Sequence, residues 1–134
     1  EKVLEFSKNN NVKNKIKKNL ALAYTKMGQE AINTGNSQKA IENLKKAVSS
    51  NNEDTAFLLL AKLYTELGNY DAALDAAQSA LKYRNSISKG GPYYYMGVAY
   101  KNKGDDAKAV EMFNQAKADA AYRKTAEYEL SLLK

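Results

Sequence analysis

The chain has 134 residues and 44% of them are hydrophobic, which is enough for one folded domain with a buried core. It contains neither histidine nor cysteine, so the usual zinc sites, histidine bases, thiol nucleophiles and disulfide bonds are excluded together. Its net charge is +6, of which residues 1–19 supply +4 through six lysines and two glutamates, so the rest of the chain is close to neutral.

The N-terminal segment, residues 1–20, is predicted to be a basic leader. The run Asn9–Asn11 is a turn signal, so we expect a break in the chain there. The lysines within Lys13–Lys18 could contact nucleic acid or an anionic membrane. We favour a solvated helix face, because neither arginine nor aromatic residues lie among these lysines.

A first helical hairpin is predicted from Val12 to about Ser49. Apolar residues recur at intervals of three and four along its first helix, which indicates an α-helix with one apolar face. The bend is expected at Gly35, and Asn36 or Ser37 is the expected N-cap of the second helix.

A second hairpin is predicted from Asp54 to about Tyr83, with its bend at Gly68. Its first helix carries mainly large apolar residues on one face, and its second helix carries mainly small ones, so a neighbouring helix can approach closely. These residues are Phe57, Leu60, Ala61 and Tyr64 on the first helix, and Ala73, Leu74, Ala77, Ala80 and Leu81 on the second.

The third hairpin follows a break over residues 85–91. Pro92 suits the first turn of its first helix, because the N–H that proline lacks has no helical partner there. We expect the bend at Gly104 and the end of the second helix near Asp119. A last helix is predicted over Ala121–Lys134.

All three hairpins share one residue pattern. Ala40, Ala73 and Ala109 occupy equivalent positions and are 33 and 36 residues apart, and a period in the thirties is typical of stacked helical hairpins. The flanking residues are Tyr24, Met27, Gly28, Ala31, Gly35, Ile41, Leu44 and Ala47 in the first hairpin, and Tyr93, Met96, Gly97, Tyr100, Gly104, Val110, Phe113 and Ala116 in the third.

This pattern resembles the tetratricopeptide repeat over roughly residues 21–121. That family places a large residue, a small residue and an aromatic residue before a glycine bend, then alanine, a bulky residue and alanine after it. The departures are Ala31 in place of an aromatic residue, Ala77 in place of a bulky one, and the lack of a proline closing any unit. These departures leave the helix ends less well defined than the fold.

The resemblance implies an all-α, right-handed α-solenoid with three tetratricopeptide hairpins and flanking N-terminal and C-terminal helices. The closing helix is expected to cap the array, although it could instead open a fourth repeat. The expected segments are a leader at 1–20, repeat units at 21–53, 54–89 and 90–121, and a capping helix at 122–134.

The function implied by the resemblance is a non-catalytic scaffold that binds a partner protein or peptide in a concave groove. The first helix of each hairpin lines such a groove. Tyr94 and Tyr95 could each instead pack against the next helix, and we leave the two interpretations equal. The candidate groove residues are Leu22, Thr25, Lys26 and Gln29; Thr55, Leu58, Leu59, Lys62 and Thr65; and Tyr94, Tyr95, Val98, Lys101 and Asn102.

Tetratricopeptide domains that bind chaperone tails hold the terminal carboxylate with lysine, asparagine and arginine side chains. At the matching positions this chain has Thr25, Gln29, Leu59, Gly91 and Tyr95. Because that clamp is missing, we expect no recognition of an Hsp70 or Hsp90 tail. If the chain binds a peptide, apolar and hydrogen-bond contacts should dominate the complex.

No catalytic motif, metal site or cofactor site is predicted. The carboxylates at Glu53, Asp54, Asp105 and Asp106 lie at expected helix starts, where capping and helix-dipole pairing explain them better than catalysis or metal binding. Two alternatives stay open, a structural module that packs against other domains or self-associates, and a nucleic-acid role of the leader.

The sequence shows neither a signal peptide nor an apolar run long enough to span a membrane. Its frequent asparagine, lysine and tyrosine hint at an AT-rich bacterial source. Because the chain begins with Glu1, we expect a processed product or part of a longer protein. The compartment, whether cytoplasm or bacterial periplasm and cell envelope, and the oligomeric state stay open.

Overall fold

The computed structural model describes the backbone of residues 2–133 and the side chains of residues 8–133. This described part is all-α, as the sequence predicts, and its helices pair as three hairpins followed by a single helix. The helices are α1 (Lys2–Asn33), α2 (Ser37–Ser50), α3 (Asp54–Glu66), α4 (Tyr70–Lys82), α5 (Gly90–Asn102), α6 (Asp106–Ala116) and α7 (Arg123–Leu132).

The chain divides into two compact units. Unit 1, residues 1–53, holds the hairpin of α1 and α2, and unit 2, residues 54–134, holds the hairpins α3–α4 and α5–α6 together with α7. The finer division into separate repeat units and a cap stays a prediction.

The three predicted bends are confirmed, and they share one hydrogen-bond geometry. Gly35, Gly68 and Gly104 have φ values of +79°, +79° and +87°, a left-handed conformation that glycine adopts without steric cost. In each bend the glycine N–H and the next N–H donate to carbonyl oxygens three and five residues earlier, so the helix ends in a Schellman motif.

The residue after each bend glycine is the N-cap of the following helix. The side-chain oxygen of Asn36 accepts a hydrogen bond from the Lys39 N–H at 3.1 Å, which decides between the two predicted caps. Asn69 and Asp105 do the same for α4 and α6. One dipeptide therefore ends one helix and starts the next, so the reversal needs few residues.

The core of unit 1 lies between α1 and α2. Ala21 and Ala31 of α1 and Ala40 and Leu44 of α2 are buried. Gly28 permits this close approach, because a Cβ atom there would lie 2.7 Å from the Leu44 side chain.

The core of unit 2 includes most of the residues predicted for it. Leu60, Ala61, Ala73, Leu74, Ala77 and Ala80 are buried, whereas Phe57, Tyr64 and Leu81 are half-buried. A second cluster, Ala109, Phe113, Ala116 and Ala126, joins α6 to α7. Gly97 of α5 faces Phe113, whose ring would lie 2.6 Å from a Cβ atom at that position.

The break expected at Asn9–Asn11 is wrong, because α1 continues through these residues. Each asparagine costs a helix several tenths of a kcal/mol relative to alanine, which weakens a helix without ending it, and neither proline nor glycine occurs before Gly28. Residues 1 and 134, within the predicted leader and cap, lie outside the described part of the chain.

Candidate partner-binding face

The candidate groove residues lie on α1 of unit 1 and on α3 and α5 of unit 2. On α1, Thr25 is buried, and its hydroxyl donates to the Ala21 carbonyl oxygen at 2.8 Å. Gln29 is exposed, and its side-chain amide donates to the side-chain oxygen of Asn33 at 3.4 Å. Gln29 is therefore accessible, whereas Thr25 offers a partner little surface. Leu22 and Lys26 are also exposed.

The residues on α3 form a half-buried row of Thr55, Leu58, Leu59, Lys62 and Thr65. Leu58 packs on α5, since a Cβ atom at Gly91 would lie 2.9 Å from its side chain. The Thr55 hydroxyl lies 3.4 Å from the Ser86 hydroxyl. Neither of these two contacts involves Leu59 or Lys62.

Tyr94 of α5 is part of an aromatic cluster. Its ring lies 5.9 Å from Phe113, 5.7 Å from Tyr122 and 5.3 Å from Tyr95, centroid to centroid. Val98 and Tyr94 also pack against the buried cluster that joins α6 and α7. Tyr94 therefore packs against neighbouring helices, which is one of the two interpretations given above, and it stabilises the scaffold.

Tyr95 lies beside this cluster and is half-buried. Burial raises the pKa of Tyr95, and the nearby Tyr122, Tyr94 and Glu66 raise it further. The hydroxyl is therefore protonated at neutral pH and can donate a hydrogen bond. A rigid ring with a polar tip is the kind of side chain that anchors protein interfaces.

The polar groups of α5 are partly used within the chain. The Lys101 Nζ atom lies 2.7 Å from the Glu129 Oε2 atom of α7, and both side chains are partly buried. The Asn102 side-chain amide donates to the Val98 carbonyl oxygen at 2.8 Å. A ligand that uses Lys101 would have to compete with Glu129.

We call Leu59, Lys62 and Tyr95 the α3–α5 face. All three are half-buried, and they come from two helices of unit 2 that contact each other. The face combines an aliphatic side chain, an ammonium group and a tyrosine hydroxyl, so it offers apolar area with one charged and one neutral donor. These three side chains do not form a catalytic arrangement.

Asp54, at the start of α3, holds the loop that precedes α5. Its Oδ2 atom accepts from the backbone N–H groups of Asn85 and Ser86 at 2.7 Å and of Ile87 at 3.0 Å. Its Oδ1 atom accepts from the Ser86 hydroxyl at 3.0 Å and from the Thr55 N–H at 2.9 Å. Both oxygens are thus fully used.

Two opposing effects set the pKa of Asp54. Burial raises it, but the donated hydrogen bonds from Asn85, Ile87 and Ser86 together outweigh burial and lower the pKa to about 2. The carboxylate is therefore charged at neutral pH and fixes the loop between the two hairpins of unit 2.

Asp119, after α6, holds the other end of the same loop. It accepts hydrogen bonds from the Ser88 hydroxyl and from the Ala121 N–H, the latter at 3.0 Å. The hydrogen bond from Ser88 lowers the pKa of Asp119 the most, and the hydrogen bond from Ala121 lowers it further. Gly90 is needed beside it, because a Cβ atom there would collide with the Asp119 side chain.

The partners of three acidic residues are not evident from the sequence. The sequence pattern places Asp54 at the helix dipole, gives Asp119 no role, and does not connect Glu129 with Lys101. The only local signal is the run of turn-forming residues at 85–88, whose N–H groups need acceptors.

Among the described residues, no cluster of three or more acidic groups is placed to hold a metal ion. Within the same residues, no helix has both the length and the apolar character needed to cross a membrane.

Comparison with known protein families identifies the same repeat as the sequence pattern. Residues 25–92 match one family model described as Tetratricopeptide repeat, and residues 93–121 match a second with the same description. The first match alone spans just over half of the 134 residues. No curated protein matches the sequence significantly.

The solved structures that are similar to this chain include two of MamA and one of an STI-1 domain. A crystal structure of MamA has a TM-score of 0.75 at 24% identity, with 84% of this chain and 66% of that chain covered. A second MamA crystal structure has a TM-score of 0.66 at 28% identity, covering 81% and 58%. The N-terminal domain of stress-induced protein-1 (STI-1) from C. elegans has a TM-score of 0.71 at 17% identity, covering 84% and 96%.

The chain thus spans less than two thirds of the length of either MamA chain and nearly all of the STI-1 domain. At such identities the likeness establishes the arrangement of helices, and it leaves the partners of this chain to be argued from its own residues.

Proposed function

The chain belongs to the tetratricopeptide repeat family, and from that premise we propose that it is a non-catalytic scaffold that binds a partner protein or peptide in a groove lined by the first helices of its hairpins. Domains of this family generally mediate protein–protein interactions and are generally non-catalytic. The observation that carries the proposal is the α3–α5 face, which presents Leu59, Lys62 and Tyr95 to solvent on two adjoining first helices.

The α3–α5 face is where a bound polypeptide gains most. The ring of Tyr95 is already partly ordered by its contact with Tyr94, so little side-chain entropy is lost when a partner covers it. Lys62 adds a charge that favours partners with an acidic group near the apolar contact. Leu58, Thr55, Val98 and Tyr94 are the neighbouring candidate contacts on α3 and α5, and Gln29 is a further candidate contact on the equivalent helix of the first hairpin.

Affinity capture from cell extract tests this proposal. The Leu59→Asp variant places a charge in the apolar part of the face, and Lys62→Glu reverses the charge at a side chain that is only half-buried. We expect both variants to lose the captured partner, while circular dichroism shows unchanged helix content. The matched control is Lys45→Glu, which reverses an exposed charge on α2. Undiminished capture by both face variants would refute the proposal.

A structural role is the second candidate, and the last helix is the observation that favours it. Tyr128 and Leu132 of α7 are 61% and 52% exposed. Beside them, α6 and α7 border a depression of about 510 Å³ that is lined by three apolar and four polar residues, namely Val110, Leu130, Leu133, Asn114, Lys117, Glu127 and Ser131. Exposed apolar side chains rimmed by polar ones are typical of a packing interface.

Light scattering distinguishes the two candidates. Under the structural proposal the chain forms dimers or larger assemblies, and Tyr128→Ser with Leu132→Ser converts them to monomers. Under the scaffold proposal, the double variant and the unaltered chain capture equal amounts of the partner. An unaltered chain that stays monomeric at all concentrations would exclude assembly through α7.

A further inference from the structure

A second exposed surface runs along α1. Five apolar residues occur at intervals of four, four, three and four, so they share one face of the helix over a length of about 22 Å. Val12, Ile16, Leu20 and Met27 are 55%, 59%, 44% and 45% exposed, and Ala23 between them is exposed too. We call Val12, Ile16, Leu20, Ala23 and Met27 the α1 stripe.

The α1 stripe is distinct from the surface that packs against α2. The packed side of α1 carries Ala21, Gly28 and Ala31, all of which are buried. At about 100° of rotation per residue, the α1 stripe lies roughly a quarter-turn away from that side. Gln29, the accessible candidate groove residue of this helix, lies on a third side.

Lysines border the α1 stripe on both sides. The same rotation places Lys8, Lys15 and Lys26 along one edge of it and Lys13 and Lys17 along the other, and all five are exposed. Between residues 6 and 29 the sequence contains no aspartate or glutamate, so none of this positive charge is neutralised within the segment. The side opposite the stripe carries Asn11, Asn14 and Lys18.

We propose that the α1 stripe binds the surface of an anionic lipid bilayer, with α1 lying parallel to the membrane plane. An aliphatic row enters the boundary between headgroups and acyl chains, while lysines on both edges extend their ammonium groups to lipid phosphates. The positive segment complements an anionic surface, which contributes to binding for each lysine near it.

Two other occupants fit these observations less well. Nucleic acid would use the lysines but leave Val12, Ile16 and Leu20 exposed, and the segment lacks the arginine and aromatic side chains that stack on bases. A second copy of the chain would bring two unneutralised rows of lysines together.

The segment also has a physical need for such a surface. Residues 8–20 are exposed on every side, so packing contributes nothing to this part of the helix. Five of these thirteen residues are asparagine, a poor helix former, and short unsupported helices are marginal in water. A bilayer that covers the apolar side therefore stabilises the helical form.

Vesicle co-sedimentation of the full chain tests this inference. Vesicles of equal parts phosphatidylglycerol and phosphatidylcholine should bind the chain, and vesicles of phosphatidylcholine alone should not. The triple variant Lys13→Gln, Lys15→Gln, Lys17→Gln should weaken binding about 100-fold, from about fivefold for each lysine. Replacement of the exposed Lys39, Lys45 and Lys117 by glutamine makes the same change in net charge and should leave binding nearly unchanged.

A stripe variant separates lipid from nucleic acid. Val12→Ser with Ile16→Ser keeps every charge and alters two exposed side chains, so the fold is unaffected, and it should weaken vesicle binding about tenfold. Duplex DNA measured in the same buffer should bind the stripe variant and the unaltered chain equally. The inference fails if anionic vesicles bind no protein, if the control triple variant loses as much as the lysine variant, or if the stripe variant binds vesicles undiminished.

Discussion

Replacing Asp54 with asparagine is expected to loosen unit 2 at a single loop. The two carboxylate oxygens accept five hydrogen bonds, three of them from the consecutive N–H groups of Asn85, Ser86 and Ile87. An amide at this position has one acceptor oxygen and places an NH₂ group among donors. The Asp54→Asn variant therefore loses both the charge and part of the hydrogen bonding.

The magnitude follows from the pKa of Asp54. It is about 2 in the folded chain, against 3.8 for an ordinary aspartate. A difference of about two units corresponds to about 2.5 kcal/mol of stability at neutral pH, from 1.36 kcal/mol per unit. Because the folded pKa is the lower one, this stability is fully present above about pH 4 and is lost as the pH falls through 2.

Urea unfolding at several pH values measures this loss. We expect Asp54→Asn to reduce the free energy of unfolding by about 2.5 kcal/mol at pH 7, and the charge-dependent difference to fall to about 1.3 kcal/mol at pH 3. Hydrogen exchange gives a local readout, because the amide protons of Asn85, Ser86 and Ile87 should exchange faster in the variant. Asp75→Asn, at an exposed site on α4, should change stability by less than about 0.5 kcal/mol.

Two outcomes would refute this reasoning about Asp54. The first is a variant that unfolds within about 0.5 kcal/mol of the unaltered chain at pH 7. The second is a difference that stays constant from pH 7 to pH 3, which would show that the carboxylate charge does not hold the loop.

Three further substitutions test the bends and the helix packing by thermal unfolding. Gly68→Ala should lower the free energy of unfolding by about 1 kcal/mol, because φ is +79° at this position, and Gly68→Asn should lower it less. A Gly68→Ala variant as stable as the unaltered chain would contradict the bend geometry. Gly97→Ala should cost about 1–3 kcal/mol, because the new Cβ atom meets Phe113, and Phe113→Leu in the same chain should recover part of that loss. Asn69→Ala should cost about 1 kcal/mol through loss of the N-cap, whereas Asn69→Asp should preserve stability, and equal melting temperatures for the two would argue against capping.

The bends could be predicted from sequence because their causes are local. A glycine in the left-handed region and the asparagine or aspartate after it determine the geometry within about six residues, and those residues are adjacent in the sequence. The small residues that admit close packing are also visible, since Gly28 and Gly97 recur at equivalent positions before their bends.

The contacts between elements that are far apart in the sequence could not be predicted in the same way. Asp54 is separated from the loop it binds by 31 to 33 residues, and Lys101 is separated from Glu129 by 28. Ion pairs and carboxylate-to-backbone hydrogen bonds at such separations depend on how helices stack, which no local pattern encodes. The error at Asn9–Asn11 has another cause, because a weak helix former was taken for a helix terminator.

Tyr94 and Tyr95 show how packing decides which residues are available for binding. Neighbours in a helix point about 100° apart, so their surroundings differ, and the sequence alone gives no reason to choose between them. The ring of Tyr94 lies against Phe113 and Tyr122, so its loss would open a cavity in the scaffold. A loss of binding in Tyr94→Ala would therefore report on folding, whereas substitutions at Leu59 and Lys62 test recognition without opening a cavity in the core.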